Sequence, residues 1–337
     1  MAVISNAVTT YATKAATGGS EHPEDVSTIL YNLDPSDVPI VSAAGKSRPI
    51  HNTLFEWVQE TLSDRDDTAV LEGDETTRAA SSLTSRSNNV AMILSRNATT
   101  TGTQEALRNF TKSSQMGHQM ARKSKELKRD VEFAITRNKA KNVGAAGTAR
   151  QTATLITWFS DTAKFNSNAD AGSTAATGDG SDTWTRSGTT RAVSEAQING
   201  VMESIYDNGG DPTMMFVSPG HKVDISAFTG RTNTREMVQK GTVGSPISIY
   251  ASDFGDVKVV PCRTLGKDAT GATGNDVCAN KDIYILDPSH YRLAMLRNYS
   301  TFELSKIGDA TTRQIIVEFG LQVDNSQAHG LITDLTT

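Results

Sequence analysis

A long stretch without proline, residues 103–142, constrains the fold of this chain more than any other feature of its sequence. Its one glycine is Gly117, and its apolar side chains recur every three or four residues, as on the buried face of an amphipathic helix. Thr103 can cap the start of this helix, and Gly144 can end it. At about 1.5 Å per residue, the predicted helix would span roughly 60 Å. We therefore expect a spine on which the other elements pack.

Length and composition exclude several classes of protein. A chain of 337 residues can hold two domains and bury a sizeable core. A net charge of −5 argues against a dedicated nucleic-acid binder, which is usually basic. The two cysteines, Cys262 and Cys278, give neither a disulfide framework nor metal-ligand spacing, so we interpret them as reduced thiols. We find no signal peptide and no apolar run long enough to span a membrane, and we expect a cytosolic product.

The segment before the long helix predicts an arm followed by a hairpin. Residues 1–50 hold few apolar side chains until a cluster around Pro35 and Pro39, which forbid a continuous helix and favour extended or turn conformations. A short helix is expected at 26–31. Residues 53–65 and 84–101 have strand composition and flank a polar segment, which predicts a β-hairpin of about 50 Å at ~3.3 Å per residue. An isolated hairpin is marginal in water, so this one needs another surface to lie on.

The segment after the long helix alternates irregularly between helix and strand. Residues 165–190 have the composition of an exposed loop. Residues 194–206 have the pattern of an amphipathic helix, and residues 221–228 begin another. Strands are predicted at 214–219, 247–250, 257–261, 283–286, 291–297, 301–306 and 314–325. This irregular order predicts an α+β fold rather than a doubly wound parallel sheet.

No pattern in the sequence supports catalysis. Phosphate-binding loops, GxSxG elbows and HExxH motifs are absent from the sequence, and the six histidines are scattered. The acidic pairs Asp66–Asp67 and Asp74–Glu75 lie in the hairpin tip, where solvated charges are the simpler interpretation. We therefore predict no enzyme, and no catalytic, cofactor or metal site. A secreted β-rich adhesin conflicts with the missing signal peptide and the basic helix.

Charge is distributed unevenly between the hairpin and the helix. Residues 53–100 hold eight acids and four bases, a net −4, whereas residues 103–142 hold ten bases and four acids, a net +6. The bases can simply form a solvated helix face, or they can contact DNA phosphates. Alternatively, the acidic hairpin of one copy lies over the basic helix of another. The residues that we select for such a contact are Asp66, Asp67, Glu72, Arg122, Lys125 and Arg129.

The order of these parts resembles the major capsid proteins of tailed phages, which have the Hong Kong 97-type fold. Local sequence is also similar to one phage major head protein family. The matching segments are ILYNLDPSDVPIVSAAGK (29–46), TGTQEAL (101–107), KELKRDVEFAITRNKA (125–140), SDFGDVKVVPCR (252–263), LDPSHYRLAMLR (286–297) and KIGDATTRQIIVEFGLQVDNSQAHGLI (306–332).

The resemblance implies a shell protein with a defined set of parts. They are an N-terminal arm (1–50), an E-loop (51–101), a peripheral domain with the spine helix and a surface loop (102–191), an axial domain (192–290), and return strands of the peripheral domain (291–337). It implies hexamers and pentamers in an icosahedral head that encloses double-stranded DNA. It also makes Phe55, Trp57 and Val58 candidates for contact with a neighbouring subunit, with packing inside their own chain as the alternative.

One departure from the founding example of the fold is informative. That example cross-links through a lysine in the E-loop, whereas no lysine lies between Lys46 and Lys112 here. We therefore expect a non-covalent shell, which a cement protein can reinforce. A separate scaffolding protein and a portal are the other expected partners. The virion is the expected location, after assembly in the host cytoplasm. An encapsulin-type nanocompartment shell that encloses cargo enzymes is the alternative, and the phage-like segments weigh against it.

Overall fold

The structure is a computed structural model that describes part of the chain. The predicted helix at 26–31 lies outside the described residues. Those residues are 37–60, 62, 67, 69, 72–73, 84–107, 113–159, 167–168, 173–186, 189–228, 248–266, 281–306 and 308–336.

The described chain contains helices and strands in mixed order. The helices are α1 (Pro39–Ala43), α2 (Gly102–Ala106), α3 (Gln115–Thr136), α4 (Glu195–Asp207) and α5 (Pro219–Ser226), with 3₁₀ turns at Leu155–Trp158 and Ser326–Ala328. The strands are β1 (Gly45–Lys46), β2 (Leu54–Gln59), β3 (Ser85–Val90), β4 (Met92–Thr101), β5 (Ser167–Asn168), β6 (Met214–Val217), β7 (Ile249–Ser252), β8 (Gly255–Pro261), β9 (Ile283–Leu286), β10 (Tyr291–Glu303), β11 (Ala310–Val323) and β12 (Gly330–Ile332). The helix α1 begins at Pro39, where an extended chain was predicted, because proline fits the first turn of a helix.

The single spine helix predicted over 103–142 is wrong. The chain forms α2 and then a separate α3 of 22 residues, about 33 Å long. The Ser114 side chain caps α3 by accepting from the Gly117 N–H, and Glu105 accepts from the Gln115 and Met116 N–H groups at 3.1 Å. These local hydrogen bonds favour a new helix start over a continuous helix. At the other end α3 stops at Thr136, and the Asn138 side chain pairs with the backbone of Trp184 instead.

The first sheet has four strands in the order β1-β10-β11-β4 and carries α3. The long antiparallel ladder of β10 and β11 runs from the pair Tyr291–Val323 to the pair Glu303–Arg313. The predicted strand over 84–101 is two strands: β3 pairs with β2 in the hairpin, whereas β4 pairs with β11. The hairpin therefore ends at Val90, and β4 belongs to the body of the subunit.

The second sheet has six strands in the order β5-β12-β9-β6-β8-β7. The helix α4 begins with a capping box formed by Ser194 and Gln197, and it packs on β12 so closely that a Cβ on Gly330 would lie 2.4 Å from Val201. The strand β12 lies in this sheet, whereas the predicted division grouped residues 291–337 with the other one. That division into named parts stays a prediction.

The predicted exposed loop over 165–190 is exposed at only some of its described residues. Trp184 is fully buried in the main core, and Arg186 forms a bidentate ion pair with the buried Asp282 at 2.6 and 2.9 Å. Composition predicts a loop correctly, since the segment contains little regular structure. It does not predict that one large ring and one buried ion pair hold the segment against the body.

Candidate assembly surfaces

The inner face of the hairpin is packed into its own subunit. Phe55 and Trp57 stack at 5.8 Å between ring centroids, and Trp57 lies 5.4 Å from Trp158. The Phe55 ring lies so close to Gly320 that a Cβ there would meet it at 2.4 Å. Phe55 and Trp57 are only 7% and 9% exposed, which supports the alternative of same-chain packing for both, and their contact with a neighbouring subunit stays a prediction.

A buried asparagine fixes the root of the same hairpin. The Asn89 side chain donates to the Leu321 carbonyl at 2.6 Å and accepts from the Ala153 N–H at 2.8 Å. Since a buried amide with unmet hydrogen bonds is costly, these contacts specify where the hairpin leaves the body.

The outer face of the hairpin and the described residues of its tip are exposed to solvent. Val58 alternates with the two buried rings along β2, and its side chain is 62% exposed. Asp67 and Glu72 are exposed, whereas Asp66 lies outside the described residues. The exposed residues of the hairpin therefore include an apolar one and acidic ones.

The helix α3 presents a basic face to solvent. Arg122, Lys125 and Arg129 are exposed and follow one another at spacings of three and four residues, which places them on one side of the helix. Arg122 is partly compensated, because its Nε lies 3.3 Å from Glu126. Among the described residues, no ion pair joins this basic face to the hairpin. A contact between them within one subunit is therefore not observed, and a contact between copies stays a prediction.

Sequence analysis missed a buried carboxyl group at the inner end of α3. Glu132 is fully buried and accepts hydrogen bonds from Cys262 Sγ at 3.1 Å, Thr264 Oγ1 at 3.3 Å and the Val41 N–H at 3.3 Å. Burial raises the pKa of Glu132 to about 7, against the opposing effect of these hydrogen bonds. Its sequence signal is an acid within the apolar run Val131–Ile135.

A second buried carboxyl group that sequence analysis missed lies on β11, where that strand pairs with β10. Glu318 is buried and pairs with two guanidinium groups, that of Arg297 at 2.7 Å and that of Arg150. Each of its two oxygens thus accepts a hydrogen bond from a guanidinium group. Tyr299 and Phe302 on β10 and Leu304 just after it are apolar side chains that are 38 to 46% exposed.

Two further classes of site were searched for among the described residues. No group of three or more His, Cys, Asp or Glu side chains there is arranged to hold a metal ion. None of the described helices is long and apolar enough to cross a membrane.

Sequence comparison identifies one family and one curated relative. The family model described as SU10 major capsid protein matches residues 3–336. The major capsid protein of Escherichia phage Phieco32 is 23% identical over 338 aligned positions, which cover 89% of this chain and 90% of that protein.

Comparison with solved structures identifies the fold. The capsid asymmetric unit of cyanophage A-1(L) matches with a TM-score of 0.62 at 10% identity, covering 94% of this chain and 98% of the other. The SrpI encapsulin of Synechococcus elongatus PCC 7942 matches with a TM-score of 0.53 at 10% identity, covering 98% and 96%. At these identities the likeness concerns the fold, and it confirms the predicted α+β architecture of the Hong Kong 97 type.

Proposed function

This chain belongs to the SU10 major capsid protein family, and on that premise we propose that its copies assemble as hexamers and pentamers of an icosahedral head. A major capsid protein of a tailed phage is a structural component of the virion shell and not an enzyme. The predicted resemblance is therefore confirmed, and the encapsulin-type alternative is not favoured, because encapsulin shares the fold alone.

The observation that carries the proposed mode of assembly is that two surfaces of opposite charge are both free on the subunit. Asp67 and Glu72 are exposed on the hairpin, and Arg122, Lys125 and Arg129 are exposed on α3. In a shell of identical copies, the hairpin of one subunit lies over the basic face of its neighbour. Complementary charges then favour the correct register and disfavour wrong pairings. Val58 adds apolar area to the same contact.

Charge reversal tests this contact. We expect that Arg122→Glu, Lys125→Glu and Arg129→Glu together lower the yield of closed particles, measured by sedimentation and electron microscopy. Reversal of the hairpin with Asp67→Lys and Glu72→Lys should lower it too, and combining both sets should restore part of the yield. Lys258→Glu, at an exposed position of β8, is the matched control for Lys125→Glu. Normal yields from both reversed sets would contradict the contact.

The same variants show which of two partners the basic face contacts, a neighbouring subunit or DNA. If the face contacts packaged DNA phosphates, particles with the triple reversal still close but hold less DNA. If it contacts a neighbouring hairpin, closure itself fails before packaging. Either partner makes the effect depend on salt, because exposed charges are screened.

The shell that we propose is held together without covalent links from the hairpin. No lysine lies between Lys46 and Lys112, so a lysine-based isopeptide bond from this region has no donor. Particles boiled in detergent should run as single chains on a gel, and a ladder of linked oligomers would contradict this expectation.

The remaining partners follow from the same proposal. A separate scaffolding protein guides assembly in the host cytoplasm, a portal occupies one vertex, and a cement protein can reinforce the finished shell. Double-stranded DNA is bound without sequence preference. The contents of purified particles test the last of these partners, since a capsid contains DNA, whereas a nanocompartment contains a cargo enzyme.

A further inference from the structure

Three parts of the subunit meet at the buried side chain of Glu132. The helix α1 supplies the Val41 N–H at 3.3 Å, and α3 supplies the carboxyl group itself. The segment that follows β8 supplies the thiol of Cys262 and the hydroxyl of Thr264. A single carboxyl group therefore connects the end of the arm, the spine helix and the exit of the six-stranded sheet.

The end of the arm is held at this point from two sides. Ile40 is fully buried, and its carbonyl accepts a hydrogen bond from the Tyr291 hydroxyl at 3.1 Å. Its N–H and that of Val41 both face Glu132. A few residues farther on, Gly45 and Lys46 pair in parallel with β10. The position of α1 therefore depends on the buried Ile40 side chain, the Tyr291 hydroxyl, a short strand pair and the Glu132 contact.

The described partners of Glu132 are electrically neutral. They comprise two backbone amides, one thiol and one hydroxyl. The titratable groups that face it are Cys262 and Tyr291, and burial raises the pKa of both, so both stay neutral. The neighbouring Arg263 points outward and lies 3.7 Å from Asp37, with both side chains mostly exposed. On α3 itself, Lys128 and Arg129 are exposed.

We propose that Glu132 is a latch that holds the arm against the spine helix and the six-stranded sheet, and that the gain or loss of one proton sets its strength. With a proton on Oε1, the carboxyl group donates to Thr264 Oγ1, while Oε2 still accepts from the Val41 N–H. Without the proton, the group carries a charge in a buried site without a cation. The protonated latch is therefore the stronger one.

Linkage gives the direction and the size of the effect. The latched form binds the proton up to a pH of about 7, whereas a solvated glutamate releases it near 4.5. Opening of the latch exposes the carboxyl group to water. The opening equilibrium constant should therefore rise on the order of 100-fold between pH 4.5 and pH 7 and change little above that range.

Hydrogen exchange of the full-length chain tests the latch. Exchange of the Ile40 and Val41 amides, corrected for the intrinsic pH dependence, should show opening that increases with pH in the wild type. Glu132→Gln keeps an acceptor and a donor but cannot lose a proton, so its opening should be independent of pH. The matched control is Glu126→Gln, six residues earlier on the same helix, where the side chain pairs with Lys123. Its opening should depend on pH as in the wild type.

A second variant decides the question if Glu132→Gln does not fold. Cys262→Ala removes one donor to the charged carboxylate and leaves Thr264 Oγ1 in place as the acceptor for the protonated form, so it should move the midpoint of opening up by roughly half to one pH unit. An unchanged midpoint in this variant, or wild-type opening that is independent of pH, would overturn the proposal. Exchange is measured within one subunit, before assembly as well as in particles, so this result is separate from the test of the shell contacts.

Discussion

Two parts of the same helix serve opposite purposes in this subunit. Over residues 115–130, α3 lies on the four-stranded sheet with one side and presents Arg122, Lys125 and Arg129 to solvent with the other. Over residues 131–136 it is enclosed, and all of its side chains except that of Phe133 are buried. Its last turn is held by the Tyr284 hydroxyl, which donates to the Thr136 carbonyl at 2.9 Å. One helix thus faces solvent over its outer part and is anchored in the core at its inner end.

The comparison also shows the limit of amphipathic periodicity. That pattern explains the outer part, where one face meets the sheet and one meets water. It does not explain the inner part, where Glu132 and Thr136 are buried because distant segments bring hydrogen-bond partners to them. Substitutions along the helix should therefore have effects on stability that fall from its inner to its outer part.

The largest effect is expected from Ile135→Ala in the inner part. Ile135 is fully buried in the main core, and truncation leaves a cavity that typically costs about 2–5 kcal/mol. Urea denaturation of the full-length chain measures this change. A loss below about 1 kcal/mol would mean that the inner part of α3 relaxes around the cavity and is less of an anchor than its burial indicates.

A pH-dependent effect comes next in size. The folded chain keeps the Glu132 proton up to a pH of about 7 and the unfolded chain releases it near 4.5, so the free energy of unfolding should fall by about 3 kcal/mol as pH rises across that range. Burial lowers the pKa of His329 to about 4, which acts in the opposite direction between about 4 and 6.5.

The two contributions to this pH dependence can be separated by comparison with Glu132→Gln. His329 is common to both proteins, so the difference between wild type and variant isolates the glutamate. The wild type should lose stability relative to the variant as pH rises. A difference that does not vary with pH would show that the carboxyl group titrates normally in the fold.

A smaller effect is expected where the outer part meets the sheet. Arg96 on β4 forms a bidentate ion pair with Asp130 at 2.6 and 2.8 Å, and the hydrogen bond to Asp130 raises the pKa of Arg96. Both side chains are half-exposed, so Arg96→Ala should cost about 1 kcal/mol, and less at high salt. Thermal unfolding at two salt concentrations measures this loss of stability. A loss equal to that of Ile135→Ala would contradict the expected decrease in effect from the inner to the outer part of the helix.

The smallest effect on stability is expected at the basic face. Lys125→Ala changes an exposed side chain without an ion pair among the described residues, so unfolding should shift by less than about 0.5 kcal/mol. Particle yield should fall nonetheless if this face contacts a neighbour. Loss of yield without loss of stability would separate the contact function of the outer part from the anchoring function of the inner part.

Sequence patterns predicted those elements that their own residues specify, either by helical periodicity or by an apolar run of strand length. The amphipathic helix expected at 194–206 is α4, displaced by one residue, and the strand expected at 283–286 is β9. Exposure of Arg122, Lys125 and Arg129 also follows from periodicity. Composition identified Phe55 and Trp57 as important, but it could not decide between the core of their own subunit and that of a neighbour.

The helix start after Ser114 and the one at Pro39 have local causes, and the other errors arise from contact between residues distant in sequence. Asn138 leaves the helical path because the Trp184 backbone satisfies its amide, and β4 leaves the hairpin because β11 offers a longer ladder. The group around Glu132 was missed for the same reason, since Val41, Cys262 and Thr264 come together only in the folded chain.

The strand β12 has a consequence for how the subunit is made. It is the partner of β9, yet the whole β10–β11 ladder of the other sheet separates the two strands along the chain. A ribosome must therefore deliver both strands of that ladder before the six-stranded sheet can close. The four-stranded sheet has all its strands once β11 has emerged, whereas the six-stranded sheet stays open in a nascent chain until β12 follows.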